Sequence, residues 1–204
     1  MKLYYSPNLN PRVAVAVARH LGSPVDYVRS SPRHPDQIAA FRAINPNALV
    51  PVLEEDDGRR LWETDAIACR LSALAGSDFW RRSDAEPEMI LWVSWAAHHL
   101  NAAAGTLYFE RLIRPQFSDQ AAPEAVIAEA MANVRTHAET LDAALAGRIW
   151  LLGDTLSYAD FRVGTALPFA DGAGLPLQGL QNLARWRGQL EAIDAWRAPF
   201  DGLD

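Results

Sequence analysis

The sequence predicts a small α/β domain followed by an all-helical domain. Three observations lead to this prediction. Short apolar strands alternate with helical segments up to about residue 76, a polar stretch without a regular period follows, and the remainder is helical in pattern. The first part has the order βαβαββα, which is most simply a small mixed sheet covered by helices. We therefore expect domains at residues 1–77 and 86–204.

The elements of the first domain follow from apolar patterning and from turn residues between them. Turns are indicated by Gly22-Ser23-Pro24, by Asn45-Pro46 and by the acidic Asp56-Asp57-Gly58. The predicted elements are, in chain order, a strand at KLYY, a buried helix at VAVAVARHLG, a strand at PVDYVRS, a short helix at DQIAAFRAI, a hairpin at VPVLEEDDGRRLWET and a helix at TDAIACRLSALAG.

The second domain is predicted to be a helical bundle. Two long helices are expected at about 86–113 and 123–146, and shorter ones around 157–170, 180–189 and 191–197. In GDTLSYADF, Ser157 and Asp160 have the spacing of a capping box, in which each side chain bonds a backbone amide at the helix start. We interpret this motif as structural.

Composition excludes several classes of function. The chain has 19 Lys plus Arg against 25 Asp plus Glu, a formal charge of -6, and no basic run, so nucleic acid is not expected as a partner. We find neither a signal peptide nor about 18 consecutive apolar residues, so we expect a cytoplasmic protein without a membrane span. One cysteine and five histidines without an HExxH pattern give no support for a metal site.

The stretch NPNALVPVL, residues 45–53, places a proline where a strand begins. Proline cannot donate a hydrogen bond to a strand ladder and is tolerated at the first residue of a strand or on an edge. Pro51 is thus either an ordinary strand opening or a device that keeps the preceding backbone unpaired for a ligand. Residues 63–67, ETDAI, start the next helix, where Thr64 or Asp65 is placed to cap it.

The domain order together with NPNALVPVL, ETDAI and GDTLSYADF resembles the glutathione transferase superfamily, whose first domain is thioredoxin-like. The resemblance implies a homodimer that takes glutathione as substrate. It also implies conjugation of the thiol to a small electrophile, or reduction of a disulfide or peroxide. The loop SPNLNPRV after the first strand is most similar to that of the nu-like bacterial members.

The resemblance also implies which residues bind glutathione. A cis Pro51 would leave the backbone of Val50 free to pair with the cysteinyl part, while Thr64 would bind the γ-glutamyl carboxylate and Glu63 its ammonium group. Leu49 stands where many relatives have a lysine or glutamine that contacts the glycine carboxylate. Taken without the family, Thr64 is an ordinary helix cap and Glu63 a solvated charge.

In the family, a side chain in the first loop stabilises the glutathione thiolate. Alignment with the nu-like loop gives Asn10 and Asn8 this role, with Ser6 as a further candidate. An amide NH₂ can donate to a thiolate but cannot take its proton, so such a contact would be electrostatic. Asn10 is equally well explained as the cap of a helix that begins at Pro11.

The second substrate would lie against the first long helix of the second domain, where the resemblance selects His99 and Tyr108. An alternative interpretation is a protein with the same fold but without thiol-transfer activity. The chain would then be a non-catalytic binding or assembly module, as in the stringent-starvation and elongation-factor relatives, because a fold alone does not fix an activity.

Overall fold

The computed structural model describes residues 1–203, and their contacts divide the chain into two compact units. Unit 1 contains residues 1–80 together with the segment from residue 193 onward, and unit 2 contains residues 81–192. The last segment, which the sequence groups with the helical part, therefore packs with unit 1.

Unit 1 is built on a four-stranded mixed sheet, as predicted. Its elements are β1 (Lys2–Tyr5), α1 (Leu9–His20), β2 (Asp26–Arg29), α2 (Pro35–Phe41), β3 (Val52–Glu54), β4 (Arg60–Trp62), α3 (Thr64–Leu74) and α10 (Asp194–Arg197). The strand order is β2-β1-β3-β4. β1 and β2 are parallel and need a crossover, which α1 supplies, whereas β3 and β4 form an antiparallel hairpin.

The apolar run in α1 explains why this helix occupies the centre of unit 1. Its residues 11–18 are all buried, as expected for a helix that is hydrophobic on every side. Valine favours strands, but here the run forms the crossover helix and is buried against the sheet, α3 and α10. The core of the sheet is completed by Leu3, Leu53 and Ile67, each with no exposed surface.

Unit 2 is entirely helical in its regular structure. Its α-helices are α4 (Glu86–His98), α5 (Leu100–Tyr108), α6 (Glu124–Ala144), α7 (Tyr158–Val163), α8 (Ala170–Ala173) and α9 (Gln181–Glu191). A π-helical turn at Phe109–Ile113 follows α5, and a 3₁₀ segment at Gly164–Phe169 joins α7 to α8. The single helix predicted over 86–113 is wrong, because the backbone of His99 leaves helical geometry and separates α4 from α5.

The predicted capping box is confirmed at the start of α7. The Asp160 carboxylate is fully buried and accepts four hydrogen bonds, each 2.9 Å long. The donors are the Leu151 amide, the Trp186 indole, and both the amide and the hydroxyl of Ser157. Burial raises the pKa of the Asp160 carboxyl, and the four hydrogen bonds oppose that shift.

Candidate functional site

The predicted site residues of unit 1 gather at one end of the sheet. Val52 pairs with Tyr4 on one side and with Trp62 on the other, so the segment leading into β3 enters between the end of β1 and the end of β4. All three of these chain segments carry predicted residues. They are Ser6, Asn8 and Asn10 after β1, Leu49, Val50 and Pro51 before β3, and Glu63 and Thr64 after β4.

The backbone of Val50 is not used by the sheet. The Val50–Pro51 peptide bond is cis, as predicted, and β3 begins only at Val52. Within residues 1–203, neither the N–H nor the C=O of Val50 takes part in a hydrogen bond. Val50 is half-buried, so both groups are available to an extended, peptide-like ligand.

Asn45 holds the segment that precedes Val50, a role that the sequence interpretation missed. Its side chain is buried, donates from Nδ2 to the Leu49 carbonyl over 2.8 Å, and accepts from the Asn47 amide over 3.0 Å. The motif Asn-Pro-Asn was visible as a turn signal, and an asparagine that bonds the backbone two residues on is common in such turns. Leu49 itself is 38% exposed.

The start of α3 lacks a side-chain cap. The N-cap residue is Glu63, so the prediction that Thr64 or Asp65 caps the helix is wrong. Glu63 has φ of 75°, a left-handed value that is rare outside glycine and is often found at functional positions. A first turn without a side-chain cap, together with the helix dipole, favours an anion at this point.

A direct hydrogen bond brings two predicted residues together. The Thr64 hydroxyl donates to the main-chain carbonyl of Asn10 over 3.1 Å, and Thr64 is only 3% exposed. This contact joins the first turn of α3 to the first turn of α1. A carboxylate ligand at the start of α3 must therefore compete with the Asn10 carbonyl for the hydroxyl proton, while it can bond the Thr64 amide without competition.

The first loop differs from the prediction in where the helix begins. α1 starts at Leu9 with Asn8 as the N-cap residue, so Asn10 lies inside the first turn and is not the cap. The side chains of Asn8 and Asn10 are both exposed. The Ser6 hydroxyl oxygen is shielded from water and has no hydrogen-bond partner among residues 1–203, which leaves its donor unused.

The two predicted residues of unit 2 lie in different surroundings. His99 lines a groove of about 320 Å³ between α5 and α6, with its ring 5.2 Å from that of His137. Burial and the nearby His99 lower the pKa of His137. Tyr108 is buried with its ring 4.8 Å from that of Phe169, and burial raises its pKa.

The described range contains neither a candidate metal site nor a candidate membrane span. Residues 1–203 contain no group of three or more His, Cys, Asp or Glu side chains arranged to hold a metal ion. In the same range, none of the helices combines the length and the apolar character needed to cross a membrane.

Comparison with known proteins gives consistent matches in both halves of the chain. The family model "Glutathione S-transferase, N-terminal domain" matches residues 11–74, and "Glutathione S-transferase, C-terminal domain" matches residues 124–198. Glutathione S-transferase GstB of Escherichia coli K12 is 36% identical over 167 residues, covering 78% of this chain and 76% of that protein.

Two further relatives differ in kind. Human elongation factor 1-gamma is 29% identical over 169 residues, which is 78% of this chain but only 36% of that protein. The crystal structure of a glutathione S-transferase domain-containing protein from Marinobacter aquaeolei VT8 has a TM-score of 0.82 and 26% identity, covering 96% of this chain and 99% of that one. With an identity of 36% to GstB over most of both chains, matches to both family models and the thioredoxin-like sheet, this chain belongs to the glutathione S-transferase family.

Proposed function

We propose that this protein is an enzyme that binds glutathione at the sheet end of unit 1 and activates its thiol. The thiolate would attack a small electrophile, forming a carbon–sulfur bond while a leaving group departs or an activated double bond takes up a proton. Alternatively, two glutathione molecules would reduce a disulfide or peroxide and be released as glutathione disulfide. One observation carries this proposal. The unpaired backbone of Val50 lies at the same sheet end as the uncapped start of α3, which suits a short peptide with a carboxylate at one end.

The roles of the individual residues follow from this placement. The cysteinyl part of glutathione would pair with the N–H and C=O of Val50, and the γ-glutamyl carboxylate would bond the Thr64 amide. Glu63 would receive the ammonium group. Leu49 offers its exposed apolar side chain and no charge to the glycine carboxylate, so we expect that end of the ligand to be bound less tightly.

Thiol activation is assigned to the residues after β1. A free thiol has a pKa of about 8.5, so only a few per cent is ionised at neutral pH. A hydrogen bond from Asn10 or from the unused Ser6 hydroxyl would favour the thiolate, and so would the positive end of α1. For the acceptor, His99 and Tyr108 remain our proposed contacts.

We further propose a cytoplasmic homodimer. Both units expose large apolar side chains that a monomer would leave in water. They include Trp62 and Leu74 in unit 1 and Ile90 and Leu91 in unit 2. A single cysteine is consistent with a reducing compartment.

A second candidate is a non-catalytic module with the same fold. The similarity to elongation factor 1-gamma favours it, as does the apolar Leu49 next to the proposed ligand site. Titration calorimetry with glutathione separates the two. We expect one site per chain with a Kd below about 1 mM, and no binding of the dipeptide Cys-Gly, which lacks the γ-glutamyl group. If millimolar glutathione gives no heat of binding, the proposal of a glutathione-dependent enzyme is excluded.

Replacing Asn10 by alanine should lower turnover about tenfold while the Kd for glutathione changes less than about twofold. The Thr64 bond is kept in this variant, since it uses the main-chain oxygen of Asn10. Ser6→Ala is the matched comparison, because its hydroxyl has no protein partner to lose. Steady-state kinetics of both variants measure the turnover and show which side chain activates the thiol. Wild-type turnover in Asn10→Ala would contradict the assignment, and a loss in Ser6→Ala would give the role to the hydroxyl.

A further inference from the structure

Arg12 is a buried charge without a counter-ion. The side chain, on α1, is 5% exposed, and its Nη2 donates to the main-chain carbonyl of Trp196. The guanidinium also lies 4.8 Å from the centroid of the Trp196 ring. Its Nη1 is shielded from water and has no hydrogen-bond partner among residues 1–203, and no carboxylate in that range forms an ion pair with it.

The charge is retained at neutral pH although burial opposes it. Burial lowers the pKa of Arg12 to about 10, which is still well above neutrality. Cation–π contact with Trp196 offsets part of the desolvation cost, but an unpaired buried charge remains expensive. The interior beside Trp196 therefore carries the positive charge of Arg12 when no ligand is bound.

The location of Arg12 connects this charge to the proposed thiol site. The Arg12 amide donates to the Asn8 carbonyl over 2.9 Å, which closes the first turn of α1. Four residues correspond to about 6 Å along a helix axis, so the backbone of Arg12 lies one turn from the Asn8 cap, while its guanidinium packs on Trp196. The first turn of α1 contains no acidic residue, so nothing in the helix neutralises this end.

Charged groups on the elements packed against α1 have other partners or lie apart from Arg12. Lys2 on β1 pairs with Glu54, Arg70 on α3 with Glu55, and Asp194 on α10 with Arg197. The remaining acid of α3, Asp65, makes no ion pair with Arg12. Within residues 1–203, no carboxylate therefore neutralises Arg12 by an ion pair, and Glu63 and Asp65 are the acids at the start of α3.

We propose that Arg12 is an electrostatic residue that favours the thiolate of glutathione bound at the start of α1, acting through the low-dielectric interior and not by contact. This inference rests on the proposed function. The carboxylates of glutathione are ionised at neutral pH with or without Arg12, whereas the free thiol is mostly protonated there, so its ionisation is what the charge changes. The thiol proton leaves to bulk water, and Arg12 itself exchanges none.

Arg19 provides a matched control on the same helix. It lies seven residues further along the same face, donates to the Asp201 carbonyl, and has its guanidinium 5.9 Å from the Tyr27 ring centroid. Like Arg12, it joins α1 to the last segment of unit 1. Unlike Arg12, it is partly exposed and two turns further from the helix start, so water and distance weaken its field there.

The experiment measures the pKa of the bound thiol by the ultraviolet absorbance of the thiolate. Wild type, Arg12→Gln, Arg12→Lys and Arg19→Gln are titrated with saturating glutathione. Glutamine keeps a donor for the Trp196 carbonyl and removes the charge. We expect Arg12→Gln to raise the thiol pKa by about one unit, and Arg12→Lys and Arg19→Gln to change it by less than about 0.3 unit.

The outcomes separate the two proposals. If Arg12→Gln binds glutathione but titrates as wild type, the role of Arg12 is wrong and the proposed function stands. If wild type does not bind glutathione, both fail. Should Arg12→Gln not fold, the salt dependence in wild type decides. A buried charge is poorly screened, so the thiol pKa should move by less than about 0.2 unit between 0.05 and 0.5 M salt, and a larger shift overturns the inference.

Discussion

Replacing Asp160 by asparagine should lower the free energy of unfolding by about 3 kcal/mol. All four groups that contact the carboxylate are donors, and three of them, the Leu151 and Ser157 amides and the Trp186 indole, cannot reverse their role. The asparagine oxygen can replace only one carboxylate oxygen. The new NH₂ group would then face at least one N–H inside a fully buried site.

Asp142→Asn is the control for this prediction. Asp142 also receives a backbone amide, that of Leu183 at 2.9 Å, and a side-chain NH₂, that of Asn182 at 3.2 Å, but it is only half-buried. Water can hydrogen-bond to a donor that the substitution leaves without its partner, so we expect the free energy of unfolding to fall by about 1 kcal/mol or less. Chemical denaturation followed by circular dichroism measures both. Similar losses in the two variants would show that the buried carboxylate of Asp160 contributes no more to the free energy of unfolding than the half-buried carboxylate of Asp142.

The second large effect is expected at Thr64. Thr64→Val should weaken glutathione binding by about tenfold, because in the complex the hydroxyl would turn from the Asn10 carbonyl to the γ-glutamyl carboxylate, and this charge-assisted hydrogen bond is lost while the volume is kept. In the free protein the hydroxyl donates to the Asn10 carbonyl, so the same change should lower the stability of unit 1 by up to about 1 kcal/mol.

Thr64→Ser separates these effects, since it retains the hydroxyl and loses one methyl group. Calorimetry with glutathione should give a serine variant within about threefold of wild type and a valine variant clearly weaker. A valine variant with the wild-type Kd would mean that the hydroxyl serves only to join the starts of α1 and α3. The ligand carboxylate would then rely on the main-chain amides alone.

The order and type of elements could be predicted because local patterns determine them. Turn residues bound each strand, and the VAVAVA run was predicted as a buried helix closed by Gly22, which supplies the crossover between parallel β1 and β2. The break at His99 was missed because its flanking residues continue an apolar helical pattern without proline or glycine. Its position depends on packing that a periodicity argument does not contain.

The placement of the predicted residues at one end of the sheet could be anticipated where they are close in sequence to a strand or helix end. Val50, Glu63 and Thr64 fall at such ends, and their gathering follows from the hairpin register. The start of α1 was predicted two residues late, because a proline inside the first turn was taken as its first residue. The packing of Arg12 could not be predicted, since Trp196, its side-chain hydrogen-bond partner within residues 1–203, is 184 positions away.

That long separation has a consequence for how the chain is made. Residues 1–80 leave the ribosome while α10 is still unsynthesised, so the face of α1 that carries Arg12 stays uncovered until all of residues 81–192 have followed. At ordinary translation rates this delay is on the order of 10 s. Unit 1 can therefore complete its fold only after unit 2 has been made, and until then the uncovered face of α1 is the surface that a chaperone would have to protect.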